Sequence, residues 1–173
     1  MKKILYVLLI LIAITVSIDA QGFKTPRPSP YATVSQVVGI TKITINYSSP
    51  AVKGRKIWGD LVPFGQIWRT GANEVTSIIF SEPVKINGHE LSAGTYGIHT
   101  IPGENEWEII FSKDTKVDDG PAFNPENEVL RIKVKPESNP HTERMAFTIT
   151  DADENSANVN LLWEKLWLTF SVN

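Results

Sequence analysis

Short runs of alternating apolar and polar residues follow one another through most of the chain. Residues 41–47 alternate without a break, and residues 129–135 and 157–163 repeat the pattern, which is typical of strands with one face on a core. Asn87-Gly88 lies between two such runs and predicts a type I′ hairpin, because both central residues of that turn take positive φ. No stretch of useful length has the period of a helix. We therefore predict an all-β domain, an antiparallel β-sandwich of about nine or ten strands with a jelly-roll-like or related Greek-key order.

The end of the chain is predicted to form the last hairpin of the domain. Glu164 and Lys165 separate two alternating runs, residues 157–163 and 166–172, and a short polar break between strands is typical of a tight turn. We expect the final run to close a sheet by pairing with an early strand, residues 41–47.

One segment fits neither a strand nor a helix. Residues 53–74, KGRKIWGDLVPFGQIWRTGANE, hold two of the five tryptophans of the chain and lie between two runs that alternate like strands. Long structured insertions in small β-domains often carry the function, because loops tolerate special residues that a sheet does not. We expect one long structured loop here, and we expect it to form the functional surface.

The start of the chain has the pattern of a secretory signal peptide. Two lysines precede an apolar run, and Ala20 offers a small residue at a cleavage position. The run is shorter than the ~20 residues of a spanning helix. We assign residues 1–20 to a cleavable signal peptide, residues 21–30 to an extended Pro-rich linker and residues 31–173 to a single domain. The protein is then exported, periplasmic or secreted, without a transmembrane segment after cleavage.

Composition narrows the classes of partner and of covalent chemistry. The chain contains no cysteine, which excludes disulfides, thiolate metal sites and lipid attachment at a cysteine. With Lys2, Lys3 and Asp19 removed from the 17 basic and 19 acidic residues, the mature chain has a net charge of −3. A domain without a basic excess is not expected to bind nucleic acid as its main partner.

Several sequence motifs together resemble a known family. They are PAVKGRKIWGDLVPFGQIWRTGANE at residues 50–74, LSAGTY at residues 91–96, PHTER at residues 140–144 and LWEK at residues 162–165. The chain resembles the DUF2911 proteins from about residue 29 to residue 172. The resemblance implies an exported domain of Bacteroidetes-type bacteria, and it supplies no catalytic residues because the family is one of unknown function.

The candidate ligand-binding residues concentrate in the long loop. Arg69 follows an apolar tryptophan and precedes Thr-Gly-Ala-Asn, small residues that let the backbone approach a ligand closely. Arg55, beside Lys53 and Lys56, belongs either to a clamp for a carboxylate or another anion, since arginine offers a planar bidentate fork, or to a solvated basic turn. Glu74 is also placed to accept from Arg69, so the two residues form either a polar pocket or a buried pair that pins the loop. The full candidate set is Arg55, Trp68, Arg69, Asn73, Glu74 and His141.

Motifs for catalysis and for metal binding are weak. The chain has no Gly-x-Ser-x-Gly elbow, and its three histidines lack the local spacing of a metal site. A zinc site from His99, His141 and Glu143 stays open as an alternative, but we predict no metal and no cofactor.

Three hypotheses of function follow, with the oligomeric state left open. The first is a binding domain for a small molecule, a glycan or an envelope protein, which requires an open groove holding Arg69, Asn73 and an aromatic side chain. The second is a hydrolase of an envelope or extracellular substrate that uses Glu74, Arg69 and a histidine, which requires these groups to converge. The third is a structural envelope protein, which requires Arg69 and Glu74 to be buried against each other with no pocket nearby.

Overall fold

The structure, a computed structural model, describes residues 25–116 and 122–173. The signal peptide predicted at residues 1–20 lies outside the described residues. The strands are β1 (Tyr31–Val38), β2 (Thr41–Ser48), β3 (Thr76–Phe80), β4 (Val84–Ile86), β5 (His89–Leu91), β6 (Gly94–Ile101), β7 (Trp107–Ser112), β8 (Glu128–Val134), β9 (Glu137–Thr150) and β10 (Ala157–Val172). A 3₁₀ turn at Pro125–Asn127 precedes β8.

Two antiparallel sheets form the domain, as the alternation predicts. The six-stranded sheet has the order β1-β2-β3-β6-β7-β8, and the four-stranded sheet has the order β5-β4-β10-β9. Asn87 and Gly88 have φ of 47° and 84°, which confirms the predicted hairpin between β4 and β5. The predicted antiparallel β-sandwich is therefore confirmed. Among the described residues, no helix is long and apolar enough to cross a membrane.

Strand β10 reverses its direction near its middle. The Asn160 side-chain oxygen accepts hydrogen bonds from Trp167 Nε1 at 3.0 Å and from Thr169 Oγ1 at 2.9 Å. A straight strand rises about 3.3 Å per residue, so these side chains meet only if the two halves of β10 lie side by side. The pairing of β10 with β9 shifts register on both sides of Glu164, whose φ is 57°. The contacts thus support the turn predicted at Glu164 and Lys165.

Two details of strand pairing differ from the sequence prediction. The last strand pairs with β4, through Val172 and Ile86, whereas β2 is already flanked by β1 and β3. The predicted closure against residues 41–47 is therefore wrong. Strand β9 also begins at Glu137, earlier than its alternation indicates, and it includes Pro140. Because β9 is an edge strand, a residue without a backbone N–H is tolerated there.

The core lies between the inner faces of the two sheets. Apolar side chains from both sheets are almost fully buried, among them Ile43, Ile78, Phe111, Val159 and Trp163. At about 25 cal/mol per Å² of apolar surface removed from water, this core supplies the main driving force for folding in a chain without disulfides. One end of the sandwich is covered by the segment between β2 and β3, which carries most of the candidate functional residues.

Candidate functional site

Residues 49–75, the site loop, are fixed to both sheets. The Val52 N–H donates to the Glu143 carbonyl at 2.8 Å, and Pro50 accepts from Met145 N–H at 2.9 Å, so the start of the loop follows β9. Trp68 and Thr100 exchange two backbone hydrogen bonds of 2.8 Å each, so its later part follows β6. The loop thus spans the gap between the sheets and has a defined conformation along its length.

Four tryptophans pack against one another beneath the site loop. The ring centroid of Trp58 lies 4.9 Å from that of Trp107, 5.6 Å from that of Trp163 and 6.0 Å from that of Trp68. Trp68 and Trp163 are stacked, with centroids 5.8 Å apart and an interplanar angle of 21°. This tryptophan cluster packs the loop against β7 and β10, and it forms a closely packed aromatic surface beneath the loop.

The backbone directly after Arg69 is strained. Its neighbour Thr70 has φ of 55°, a conformation that is rare for a β-branched residue. Two hydrogen bonds hold Thr70 there: its carbonyl accepts from Thr76 Oγ1 at 2.7 Å, and its hydroxyl donates to Thr100 Oγ1 at 3.2 Å. Strain of this kind persists only where the surroundings over-determine the conformation, and it concentrates at functional sites. The next residue, Gly71, is closely packed, because a Cβ there would lie 3.0 Å from Thr76 Oγ1 and 3.3 Å from the Ser48 carbonyl oxygen.

A cavity of about 310 Å³ opens between the site loop, β10 and the segment before β1. Its lining residues are Ser29, Pro50, Arg55, Leu61, Val62, Trp68, Arg69, Gly71, Ala72 and Trp163. Most of the lining residues are apolar or aromatic, with the two arginines as the charged members, and polar atoms form nearly half of the lining surface. A concavity that combines aromatic walls with a few polar groups is typical of small-molecule sites.

Arg55 stands at the cavity with part of its guanidinium already engaged. Its Nε donates to the Val52 carbonyl at 3.0 Å, and its Nη2 donates to the Ala51 carbonyl at 2.5 Å. These bonds orient the exposed side chain, and its Nη1 makes no hydrogen bond to the described residues.

Arg69 does not pair with Glu74, which corrects one of the two interpretations of this loop. Glu74 instead accepts from Arg27 Nη1 at 2.5 Å and from Ser48 Oγ at 2.7 Å. The Ser48 hydrogen bond, aided by Arg27 and opposed by partial burial, lowers the pKa of Glu74 below its ordinary value. Within residues 25–116 and 122–173, Arg69 has no ion pair, and its buried Nε has no hydrogen-bond partner.

Residues 27–30, the N-terminal segment, form one side of the cavity. Arg27 is held by Glu74, the Pro28 carbonyl accepts from Arg144 Nη1 at 3.4 Å, and the Pro30 carbonyl accepts from Ser49 N–H at 2.8 Å. The Ser29 side of this segment lines the cavity. The described end of the predicted linker is therefore part of the site rather than separate from it.

The other candidate residues lie around the cavity or away from it. Asn73 has φ of 57° and donates from its exposed side chain to the Ser29 carbonyl at 3.4 Å, so it supports the N-terminal segment. His141 is exposed and contacts Glu143 at 3.2 Å. Of the six candidates, the cavity brings together Arg55, Trp68 and Arg69. Trp163 ends the alternating run of residues 157–163, and this pattern indicates burial without any sign that the side chain also lines a cavity.

His99 lies on the outer face of the six-stranded sheet, beneath the chain that follows β7. It is 1% exposed; its Nε2 lies 2.7 Å from the Ala122 carbonyl, and its Nδ1 lies 3.3 Å from Ser112 Oγ. His99 is thus buried in its own set of contacts, whereas His141 is exposed on β9. Among the described residues, no group of three His, Cys, Asp or Glu side chains is placed to hold a metal ion. The zinc alternative built on His99, His141 and Glu143 therefore has no geometric support in this part of the chain.

Burial lowers the pKa of His99, with the Ala122 hydrogen bond and the Asp114 charge acting in the opposite direction. As the pH falls below 6.5, the ordinary value, the unfolded chain takes up a proton that the folded chain does not. Stability is therefore expected to fall from that pH down to the folded-state pKa and to be constant below it, as far as His99 contributes. Urea unfolding between about pH 5 and pH 7.5 measures this slope, above the range in which carboxylates titrate.

The matched variants of this test are His99→Gln and His89→Gln. His99→Gln removes the titrating group and should flatten the slope, whereas His89→Gln changes an exposed histidine of the β5 hairpin and should leave it as in the wild type. An unchanged slope in His99→Gln contradicts the prediction.

A second, larger depression lies at the opposite edge of the four-stranded sheet. It has a volume of about 650 Å³ and is more open, and its lining includes Lys85, Glu90 and Ser92. Lys85 and Glu90 are exposed, and none of the buried unpartnered polar atoms of the described residues belongs to its lining. The smaller cavity under the site loop is therefore the stronger candidate for a binding site.

Comparison with known proteins gives one match. A family model described as "Protein of unknown function (DUF2911)" matches residues 29–172. Neither the curated proteins nor the solved structures gave a match.

Proposed function

The chain belongs to the DUF2911 family of proteins of unknown function, and we propose that it is an exported ligand-binding domain whose site-loop cavity holds a small molecule. The observation that carries the proposal is the state of Arg69. Its guanidinium faces a cavity of about 310 Å³, and its buried Nε has no partner within the described residues. A buried polar atom without a partner is uncommon in native proteins, and together with the absence of an ion pair it leaves the charge of Arg69 without a counter-charge among the described residues, beside a cavity that a ligand can enter.

The alternative of a purely structural loop predicts a buried Arg69–Glu74 pair without a pocket. The structure has the opposite arrangement, because Glu74 is engaged by Arg27 and Ser48 while Arg69 lies at a cavity. The loop is also fixed by backbone bonds to both sheets, so Arg69 is not needed to pin it. These contacts favour the binding hypothesis over the structural one.

The hydrolase alternative requires titratable groups that converge at the cavity. The charged residues of the lining are Arg55 and Arg69, and neither Glu74 nor a described histidine contributes to it. Proton transfer needs a base or an acid within hydrogen-bond reach of the substrate, and the described lining supplies no carboxylate or imidazole. Binding is therefore the function that this geometry supports better.

The test is a small-molecule screen read out on the tryptophan indole N–H signals of the chain from Gln21 onwards. Each of the five indoles gives its own signal in a ¹H–¹⁵N correlation spectrum, and single Trp→Phe variants assign them. We expect some compounds to shift the signals of Trp68 and Trp163, which line the cavity, and to leave that of Trp167 unchanged, because Trp167 is not among the lining residues.

A filled cavity supplies the control. Ala72 lines the cavity, so Ala72→Phe should abolish the shifts, whereas Ala93→Phe, in an exposed turn, should retain them. The proposal fails if no compound shifts Trp68 or Trp163, or if Ala72→Phe responds like the wild type while its spectrum shows an intact fold.

A further inference from the structure

The buried polar atoms without partners are all of one chemical kind. Within residues 25–116 and 122–173 they are Arg69 Nε and the Nε1 atoms of Trp58, Trp107 and Trp163. Guanidinium and indole nitrogens donate hydrogen bonds and cannot accept them. Three of these groups are joined in the tryptophan cluster, and both Arg69 and Trp163 reach the cavity wall. Two of the four unpartnered donors therefore belong to residues of the cavity wall, and none of the unpartnered buried atoms of the described residues is an acceptor.

The charged residues around the cavity are positive. Arg55 and Arg69 line it, and no aspartate or glutamate does. The carboxylate nearest to Arg69 along the loop is Glu74, and it is held elsewhere by Arg27 and Ser48. The positive charge of Arg69 is thus uncompensated within the described residues, beside an apolar wall where a charge interaction is less screened than in water.

The accessible side of Arg69 has a geometric consequence. The two Nη atoms of a guanidinium form a planar fork that matches the two oxygens of a carboxylate or of a phosphate. In Arg55 the Nε and Nη2 donors are occupied by the Val52 and Ala51 carbonyls. In half-buried Arg69 the Nε is enclosed, whereas neither Nη is among the buried unpartnered atoms of the described residues. Arg69 therefore offers the fork, and Arg55 adds charge from the rim.

Resting on the proposed function, we infer that the ligand carries an oxyanion head group, a carboxylate or a phosphate-like group, on a flat apolar body. The head is bound by Arg69 with Arg55 at the rim, and the body lies against Trp68 and Trp163. The apolar residues Pro50, Leu61 and Val62 complete the surface around that body. A neutral ligand of the same shape leaves a buried charge unpaired, which reduces its affinity.

Three small probes of similar shape test the inference: benzoate, phenylphosphonate and neutral benzamide. Each is titrated against the chain from Gln21 onwards up to tens of millimolar, with the indole N–H signals of Trp68 and Trp163 as the readout. We expect at least one of the two anions to bind about tenfold or more tightly than benzamide, because a charge-assisted fork replaces a neutral contact. The stronger of the two anions identifies the head group.

Substitutions at Arg69 separate the fork from the charge. Arg69→Met keeps an unbranched stem and removes all donors, so it should abolish the preference for the anion; Arg69→Lys keeps the charge without the fork and should retain part of it. Arg131→Met is the matched control, because Arg131 is an exposed arginine already paired with Glu108 and Glu128 on the outer face. That variant should bind the anions like the wild type.

Two outcomes overturn the inference, and they differ in what they mean for the proposed function. If benzamide binds as tightly as the anions, or if the screen yields only neutral binders of the cavity, the anion inference is wrong while small-molecule binding stands. If neither the three probes nor any screened compound shifts Trp68 or Trp163, both are wrong. Retained anion preference in Arg69→Met also overturns the assignment of Arg69.

Discussion

Replacement of Trp163 by alanine is expected to lower the free energy of unfolding by about 3–5 kcal/mol, the range for truncation of a buried aromatic residue. Trp163 is 1% exposed, and it contacts Trp58 and Trp68 from the floor of the cavity. Its removal leaves a void that joins the existing cavity. We expect the surrounding side chains to fill this enlarged void only in part, which keeps the energetic cost high. Urea or guanidinium unfolding measures the change.

The same strand supplies the control for this prediction. Trp167 is 36% exposed, so Trp167→Ala removes less buried surface and should destabilise the protein by clearly less than Trp163→Ala. A loss below about 1 kcal/mol in Trp163→Ala would contradict the described packing of the tryptophan cluster. The proposed function adds a second expectation: Trp163→Ala should fail to bind the compounds of the screen at temperatures where it remains folded, because one wall of the cavity is gone.

Replacement of Gly97 by alanine is expected to destabilise the protein by about 1–3 kcal/mol or somewhat more, as overpacking does. Gly97 is buried in β6, and a Cβ there would overlap the carbonyl oxygen of Asp114 in the chain that crosses this strand. Backbone cannot rotate away as a side chain does, so this covering chain must move. It also covers His99, which should therefore become more exposed.

Two measurements distinguish this effect from a general loss of strand propensity. The pKa of His99, followed by NMR, should rise towards its ordinary value in Gly97→Ala, because burial is what lowers it. Thr95→Ala, on the same face of β6 and exposed, should change neither the His99 pKa nor the stability by a comparable amount. A stable Gly97→Ala variant with an unchanged His99 pKa would contradict the close approach of Asp114.

The strands were predictable because each carries its own signal. Alternation depends only on which side chains face the core, so β2, β7 and β8 are readable one at a time, and Asn87-Gly88 specifies its turn by its own backbone preference. The partner of the last strand was not predictable in this way, since Ile86 and residues 41–47 present equally apolar faces. Pairing between distant strands depends on the whole arrangement of the sheets, which no local pattern records.

The site was predictable in part for the same physical reason. Arg69 and Trp68 stand out within one loop, and the small residues after them indicate a special backbone. Local reasoning offered only the nearby Arg69 as a partner for Glu74 and left that pair open as one of two alternatives, whereas the actual partner Arg27 lies 47 residues away in sequence. The cavity-lining role of Trp163 depends on how β10 meets the loop, and its position in the alternating pattern only indicates burial.

The walls of the cavity are remote from one another along the chain, and this has a consequence for folding. Arg144 reaches the Pro28 carbonyl across 116 residues, and Ser49 reaches the Met145 carbonyl across 96. Closing such long loops carries an entropic penalty before any contact offsets it, so contacts of this kind form later than the local hairpins. When only the hairpins have formed, the tryptophans are not yet enclosed by the distant segments that complete the cavity wall. The cavity is therefore expected to form after the local hairpins, once the distant segments that build its walls have come together.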